Sequence, residues 1–548
     1  MRTGIGDTAT ERATVANGAS LILGHVIDTD GVRAVCSFRR EALVSTRQGV
    51  AHEKLAATSI GGLVKIAVGD FLLIGTLGEL RLDRANSELV QAEVEFMGEG
   101  PIGPAGTLGS FRRGVSIYPH PGDAVRLAEE ADFAEIFAPP ALPHIMFGTV
   151  YPTETIRAPI LYDRLLGRHF AILGSSGTGK STTVSLLLHQ IMNAAPHAHI
   201  LILDPHGEYS HAFGTKAKVW DVDNLQLPYW AMNLEEHCEA FVTSSADEAA
   251  VDRNILAKCL QKARSRNVRI SEASKVTADT PVAYQLADLL LALEEEAGKL
   301  EKIADSSRYT LLRLTIEQYF SDQRYGFIFN ADYAGNSLEQ LLGDVLRIPE
   351  AGQPISIIDI AGVPTELVNA VVSTIARLVL DFAIRSPRDN KIPTLLLCEE
   401  AHRYLPRVAT THTAGVRRQL ERIAREGRKY GVCLGVVSQR PSELSETVLS
   451  QCGTMISMRL NNVDDQLQLK ATMAEGARSL VGVISALANQ ECIITGDGVP
   501  VPMRVHVDTV AADSKPASED QMFSVKWNDA SAGAEQLEAT VKNWRESR

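Results

Sequence analysis

From about Phe147 onward the chain is punctuated by short, almost wholly apolar runs. They are Phe170–Leu173 (FAIL), His199–Leu203 (HILIL), Ile355–Ile360 (ISIIDI), Thr394–Cys398 (TLLLC), Val432–Ser438 (VCLGVVS), Thr454–Leu460 (TMISMRL) and Glu491–Thr495 (ECIIT). A run apolar at every position suits a strand covered on both faces, and the stretches between the runs suit helices. This pattern predicts an α/β domain around a parallel sheet. From Leu21 to Ala141 the texture differs. GHVIDTDGVRAVCSF, SIGGLVKIAVGDFLLIGTL, ELVQAEVEFMGEG and GVSIYPHPGDAVRLA alternate over short distances and break at Gly and Asp. Several short strands with frequent turns predict a small β-barrel or sandwich.

These textures divide the chain. Residues 1–15 read as a disordered leader, 16–146 as the β-rich domain, and 147–230 with 353–510 as the α/β core. The Pro139-Pro140 pair marks the first boundary. Over 231–352 the strand signal disappears. Thr280 and Pro281 look like an N-cap and a first helical residue, followed by Leu286, Leu289, Leu290 and Leu293 at helical spacing, so this stretch reads as a helical insertion. Residues 511–548 are polar and weakly patterned, a tail or an arm onto a neighbour. There is no internal repeat.

Composition narrows the function classes only slightly. At 548 residues, with 45% hydrophobic and 22% charged positions, the chain has the make-up of a globular protein of two to four domains. A net charge of −13 gives no bulk signal for nucleic acid, so any DNA contact has to come from a local basic surface. The seven cysteines are scattered, without the paired spacing of a zinc site, and suit a reducing cytoplasm. No N-terminal segment resembles a signal peptide, and no apolar run reaches the roughly 20 residues that span a bilayer.

The strongest chemical signal is GSSGTGKST, Gly174 to Thr182: Gly174, Ser175, Ser176, Gly177, Thr178, Gly179, Lys180, Ser181 and Thr182. It follows the strand FAIL and opens an amphipathic helix, the context that makes a P-loop. Backbone N–H groups and the helix N-terminus suit phosphate. Lys180 is placed for the β- and γ-phosphates of ATP and Ser181 for Mg²⁺. The next strand ends in DPHGEY, where Asp204 and Glu208 lie at the strand's C-terminal end. Glu208 is the better candidate for a place near the nucleotide, and an ordinary capped turn is the alternative.

TLLLCEEAH sets Glu399 and Glu400 at the end of another buried strand. Neighbouring strand residues face opposite sides, so one carboxylate can serve the metal and the other the water. Glu399 is assigned to magnesium, reached through a water, and Glu400 to the attacking water. Where many such sites have Asp-Glu, this chain has two glutamates, and the extra methylene is absorbed by a water-mediated contact. His402 and Arg403 follow, and for His402 a polar loop role is favoured. Ser438 and Gln439 end a later strand, where a polar side chain can report on the γ-phosphate. Between these strands, GVRRQLERIAREGRKYG carries Arg418, Arg422, Arg425 and Lys429 along one helical face. Such a stripe is either solvated or a source of an arginine finger for a neighbouring subunit. Arg425 is the first choice and Arg428 the second, and Arg168 is a further candidate for a phosphate contact.

Taken together, GSSGTGKST, LDPHGEY, LLLCEEAHRYLP, IAREGRKYGV and VVSQRPSEL resemble HerA proteins, in the HerA/FtsK superfamily of ring translocases, over about residues 168–460. The β-rich region is similar to the HAS-barrel of that family, and the helical insertion is similar to that of its members. The resemblance implies a P-loop NTPase with a RecA-like core, a homohexamer with ATP between subunits, and double-stranded DNA in the central pore. It implies Lys180 and Ser181 in the nucleotide loop, Glu399 as the metal-side acid, Glu400 as the base, Gln439 as sensor and Arg425 as the finger in trans. It further implies a partner on the barrel face: a NurA-type nuclease, or a defence effector such as a nuclease or a sirtuin-type NAD hydrolase. The Ala- and Asp-rich composition leans towards a bacterial, antiphage member. The alternative is a nucleotide-regulated scaffold that activates its effector without processive movement. Conjugation-type coupling ATPases usually carry membrane helices, for which the sequence shows no apolar run of sufficient length.

Overall fold

The computed structural model describes residues 22–45, 58–242, 246–266, 275–299, 303–410, 412–473, 478–517, 523–528 and 533–546. The leader expected at 1–15 lies outside the described residues.

The N-terminal strands are Ile22–Thr29 (β1), Arg33–Arg39 (β2), Leu63–Val68 (β3), Phe71–Leu82 (β4), Leu89–Pro101 (β5), Arg112–Arg113 (β6) and Ala124–Leu127 (β7). They pair in the order β2-β1-β7-β3-β4-β5-β6, and β2 also pairs with β5 from Arg33↔Glu95 to Arg39↔Leu89. That last ladder closes six strands into a barrel and removes both open edges. Alternation along the strands turns Val26, Ala34, Cys36, Phe38, Ile66, Val94 and Val125 into the barrel interior.

The core strands are Ile145–Val150 (β8), Arg157–Ile160 (β9), Phe170–Leu173 (β10), His199–Asp204 (β11), Ala217–Trp220 (β12), Ile355–Asp359 (β13), Thr394–Cys398 (β14), Val432–Ser438 (β15), Thr454–Met458 (β16), Glu491–Gly496 (β17) and Met503–Val507 (β18). They form one sheet in the order β12-β13-β11-β14-β15-β10-β16-β17-β18-β8-β9. Along that order the strands from β12 to β16 are parallel, with β10 between β15 and β16. β17 was expected in the parallel set but runs antiparallel to β16, as do the strands beyond it to their neighbours. A two-sided apolar run marks burial, not direction. The short link from β17 to β18 leaves room for a hairpin and none for a crossover helix, so β18 runs back along β17.

Between β12 and β13 lie the helices Leu234–Phe241, Ala246–Ser265, Leu286–Ala297, Ile303–Ser321 and Leu338–Leu346. Leu289 and Leu293 are buried there. The expected start at Thr280–Pro281 is displaced. Thr280 Oγ1 accepts the Thr277 N–H at 2.9 Å in a turn, and the helix begins at Leu286. A buried ion pair, Arg377 Nη2 to Glu236 Oε2 at 2.8 Å, locks the insertion onto the helix Thr365–Arg385. That helix corrects the membrane expectation. By length and composition it could cross a bilayer, but 72% of its apolar window is buried inside the molecule as a core helix.

Candidate active site

β10, lying between β15 and β16, delivers the chain into the P-loop at its C-terminal end. Gly174 N–H donates to Ser438 O at 3.2 Å and Ser175 N–H to Arg459 O at 2.8 Å, so the loop is hung between β15 and the end of β16. Gly177 (φ 72°) and Gly179 (φ 98°) take left-handed conformations that let successive N–H groups turn inward. Thr178 Oγ1 donates to Ser175 O at 2.8 Å, bracing the loop. The helix Lys180–Ala194 then starts, with Ser181 and Thr182 in its first turn. Lys180 is buried and its Nζ donates to Ser175 O at 3.2 Å. Burial lowers its pKa, opposed by the charges of Glu400, Glu399 and Glu208.

The other strand ends converge on the same place. After β11, Asp204 accepts the N–H groups of His206 (3.1 Å) and Tyr209 (2.9 Å), which makes it the organiser of the turn. That turn aims Glu208 at the loop, where its Oε2 accepts Ser181 Oγ–H at 2.7 Å. After β14, Glu399 N–H donates to Leu203 O, and its buried carboxylate accepts the Tyr209 hydroxyl at 3.0 Å. Burial, helped by the adjacent Glu400 charge, pushes Glu399 up to about 8, with Tyr209 and Lys180 pulling the other way. Glu400 has a left-handed backbone, φ 46° and ψ 45°, a conformation that costs a non-glycine residue about 1–3 kcal/mol. Its Oε2 is buried without a hydrogen bond; His402 Nδ1 lies 3.2 Å away, off the bonding angle. After β15, Gln439 Oε1 accepts Ser176 Oγ–H.

Lys180, Ser181, Glu208, Glu399, Glu400 and Gln439 are thus brought to one end of the sheet. Tyr209 and His402 join them, although the sequence assigned neither a role there. Periodicity could not single out Tyr209; its only cue is its place directly after Glu208. The donor set fits a magnesium nucleotide. Three carboxylates surround one lysine, and a buried carboxylate oxygen is left without a donor. Among the described residues, no group of three or more His, Cys, Asp or Glu side chains could hold a metal ion alone.

The basic residues go elsewhere. Arg168, Arg425, Arg428 and Lys429 line a cleft of about 510 Å³ at the N-terminal end of β10 and β15, together with His169. β15 separates that cleft from the P-loop by about 20 Å, given a rise of about 3.3 Å per residue. Arg425 pairs with Glu421 at 2.7 Å, and Arg168 pairs with Asp497. Arg422 leaves the stripe and faces Asp381 and Glu426.

A family model described as the central domain of the helicase HerA matches residues 145–379. A "DNA double-strand break repair helicase HerA" of Sulfurisphaera tokodaii is 28% identical over 446 residues, covering 78% of this chain and 81% of the relative. Its namesake from Sulfolobus acidocaldarius is 25% identical over 490 residues, covering 88% of this chain and 92% of the relative. Among solved structures, VirB4 of Thermoanaerobacter pseudethanolicus is 14% identical with a TM-score of 0.46, covering 68% of this chain and 98% of that one. With its P-loop and its converging strand-end carboxylates, the chain is a P-loop ATP hydrolase that is similar to HerA helicases over most of its length.

Proposed function

We propose that the chain is an ATP-driven translocase or helicase for double-stranded DNA, working in the cytoplasm as a homohexameric ring. The observation that carries the ring is the separation of the two halves of an ATPase centre. The P-loop and its carboxylates lie at one end of the sheet and the basic cleft at the other. Within one chain they cannot reach one ATP; head to tail, one copy's cleft faces the next copy's P-loop. Double-stranded DNA in the pore rests on the kinship with helicases named for double-strand break repair.

In this reading the P-loop amides and Lys180 bind the phosphates of ATP. Ser181 and Glu399 hold Mg²⁺, with Glu208 steering Ser181. The metal, when bound, would supply neutralisation of the phosphate charge. Glu400 orients the attacking water and takes its proton. Gln439, resting on Ser176, senses the γ-phosphate. Arg425 or Arg428 of the next copy stabilises the charge that develops on transfer, and Arg168 supports that cluster. A partner nuclease of NurA type, or a nuclease or sirtuin-type NAD hydrolase effector, docks on the barrel face. Exposed Ile27, Leu82, Ile117 and Tyr118 on the N-terminal domain support that placement.

ATP hydrolysis by the full-length chain, measured with and without double-stranded DNA, tests the proposal, alongside particle mass by light scattering. A hexamer whose turnover rises with DNA and vanishes in Lys180→Ala is the expected result. Turnover indifferent to DNA of any length overturns the motor. Full effector activation by Lys180→Ala in complex with its partner would establish the scaffold reading instead.

A further inference from the structure

Glu400 is held in a left-handed backbone, which turns its carboxylate towards the loop that follows β14 rather than along the strand. His402 meets it there. The ring nitrogen Nδ1 lies 3.2 Å from Glu400 Oε2 and 3.3 Å from Ser438 Oγ, the last residue of β15. We propose that His402 is a positioning residue that couples the Glu400 carboxylate to the sensor strand. This rests on Glu400 being the base of the proposed ATPase.

The coupling follows from the valence of one nitrogen. Nδ1 of a neutral imidazole carries either a proton or a lone pair. With the proton it donates to Glu400; with the lone pair it accepts the Ser438 hydroxyl. It cannot serve both. Ser438 Oγ already accepts the Arg440 N–H at 3.0 Å, which leaves its own proton to give away. Glu400 Oε2 has no hydrogen-bond partner, matching the arrangement in which Nδ1 serves Ser438. The next residue, Gln439, touches Ser176 of the P-loop. A shift of Gln439 towards or away from the γ-phosphate therefore carries Ser438 with it and decides whether His402 holds Glu400. The base is aimed when the sensor has moved and is let go when the sensor returns.

Steady-state ATP hydrolysis by full-length His402→Ala, His402→Asn, Ser438→Ala and the His402→Ala/Ser438→Ala double variant tests this. His402→Ala is expected to lower kcat about tenfold, with KM for ATP within about twofold of wild type. His402→Asn, whose amide lies near the Nδ1 position, is expected to recover part of the loss. The double variant is expected to be no slower than His402→Ala alone, because both changes cut the same connection. Wild-type kcat in His402→Ala, or additive losses in the double variant, overturns the proposal. If His402→Ala melts early, the cycle built on His402→Asn and Ser438→Ala takes its place, with additive losses again overturning the coupling. Glu400→Gln in the same series separates the two levels. Turnover surviving there removes the base itself, whereas an inactive Glu400→Gln beside a fully active His402→Ala removes only the coupling.

Discussion

The two ends of the core sheet carry opposite chemistry. At the C-terminal end of β10, β11 and β14, Glu208, Glu399 and Glu400 crowd one buried lysine. At the N-terminal end of β10 and β15, Arg168, Arg425, Arg428 and Lys429 share one cleft. The acidic end is densely hydrogen-bonded and buried. The basic end is exposed, and Arg425 is tethered by Glu421. Buried groups at the acidic end are set before any ligand arrives, which suits positioning of phosphate, metal and water. The cations at the other end are exposed and suit a partner surface. In the proposed head-to-tail ring each interface joins one end of each kind, so hydrolysis becomes a property of neighbours and not of a single chain.

The largest test of this contrast lies at the acidic end. Lys180→Ala and Glu400→Gln should each reduce ATP turnover by about 100-fold or more, as expected for loss of the phosphate lysine or of general base catalysis. Glu400→Gln should still bind ATP, measured by a fluorescent nucleotide. Wild-type turnover in either variant would end the contrast. Next comes the basic end. Arg425→Ala or Arg428→Ala should lower kcat by about 10- to 1000-fold, with nucleotide affinity changed much less. Mixing Arg425→Ala chains with Lys180→Ala chains should restore part of the activity, because some interfaces then pair an intact cleft with an intact loop. No recovery at any mixing ratio would break the trans arrangement.

A smaller effect separates the two glutamates. Glu399→Asp should keep ATP turnover within about fivefold of wild type, since a water-mediated metal contact tolerates a shorter side chain. Glu399→Ala should be far slower and should need more magnesium. Equal losses in Asp and Ala would point to direct coordination. The smallest effect concerns how the basic helix Ala414–Tyr430 is seated. Glu239 of the insertion packs against its first turn at Gly415. Burial, with Glu236 and Glu235 nearby, pushes Glu239 up to about 8 from 4.5. Its folded form therefore holds a proton that the unfolded chain has lost between those values. The stability contributed is complete below pH 4.5 and is lost as pH rises through about 8. Thermal melting followed over that range should show the decline, and Glu239→Gln should make it shallower, the remainder coming from Glu399, which is pushed up to about 8 as well. A slope unchanged in Glu239→Gln would show that the seating does not depend on this proton.

Much of the fold could be read from runs of apolar residues. Each of the parallel strands β10, β11, β13, β14, β15 and β16 coincides within two residues with a run visible in the chain, because a strand covered on both faces must be apolar throughout. The β-rich domain was legible as alternation, which turns one face inward, while the β2–β5 ladder decided for a closed barrel over a sandwich. β17 shows the limit of this reading. Its composition matches its neighbours, and its antiparallel direction shows only in its pairing with β16. Thr280–Pro281 shows another, since a good N-cap sequence yielded to a turn in which Thr280 bonds back to Thr277.

The amino-acid sequence by itself determined the parts of this protein whose chemistry is local. Glycines at 177 and 179, a lysine and a serine at a helix start, and acids at strand ends carry their meaning in a few adjacent residues. What only the tertiary structure decided is which of them meet. It set Tyr209 on Glu399, Glu208 on Ser181 and His402 beside Ser438, pairs separated by 190, 27 and 36 positions. It also sent the arginines to the far end of the sheet. Those outcomes depend on strand order and turn direction, which come from packing the whole sheet at once and leave no mark in any short stretch of residues.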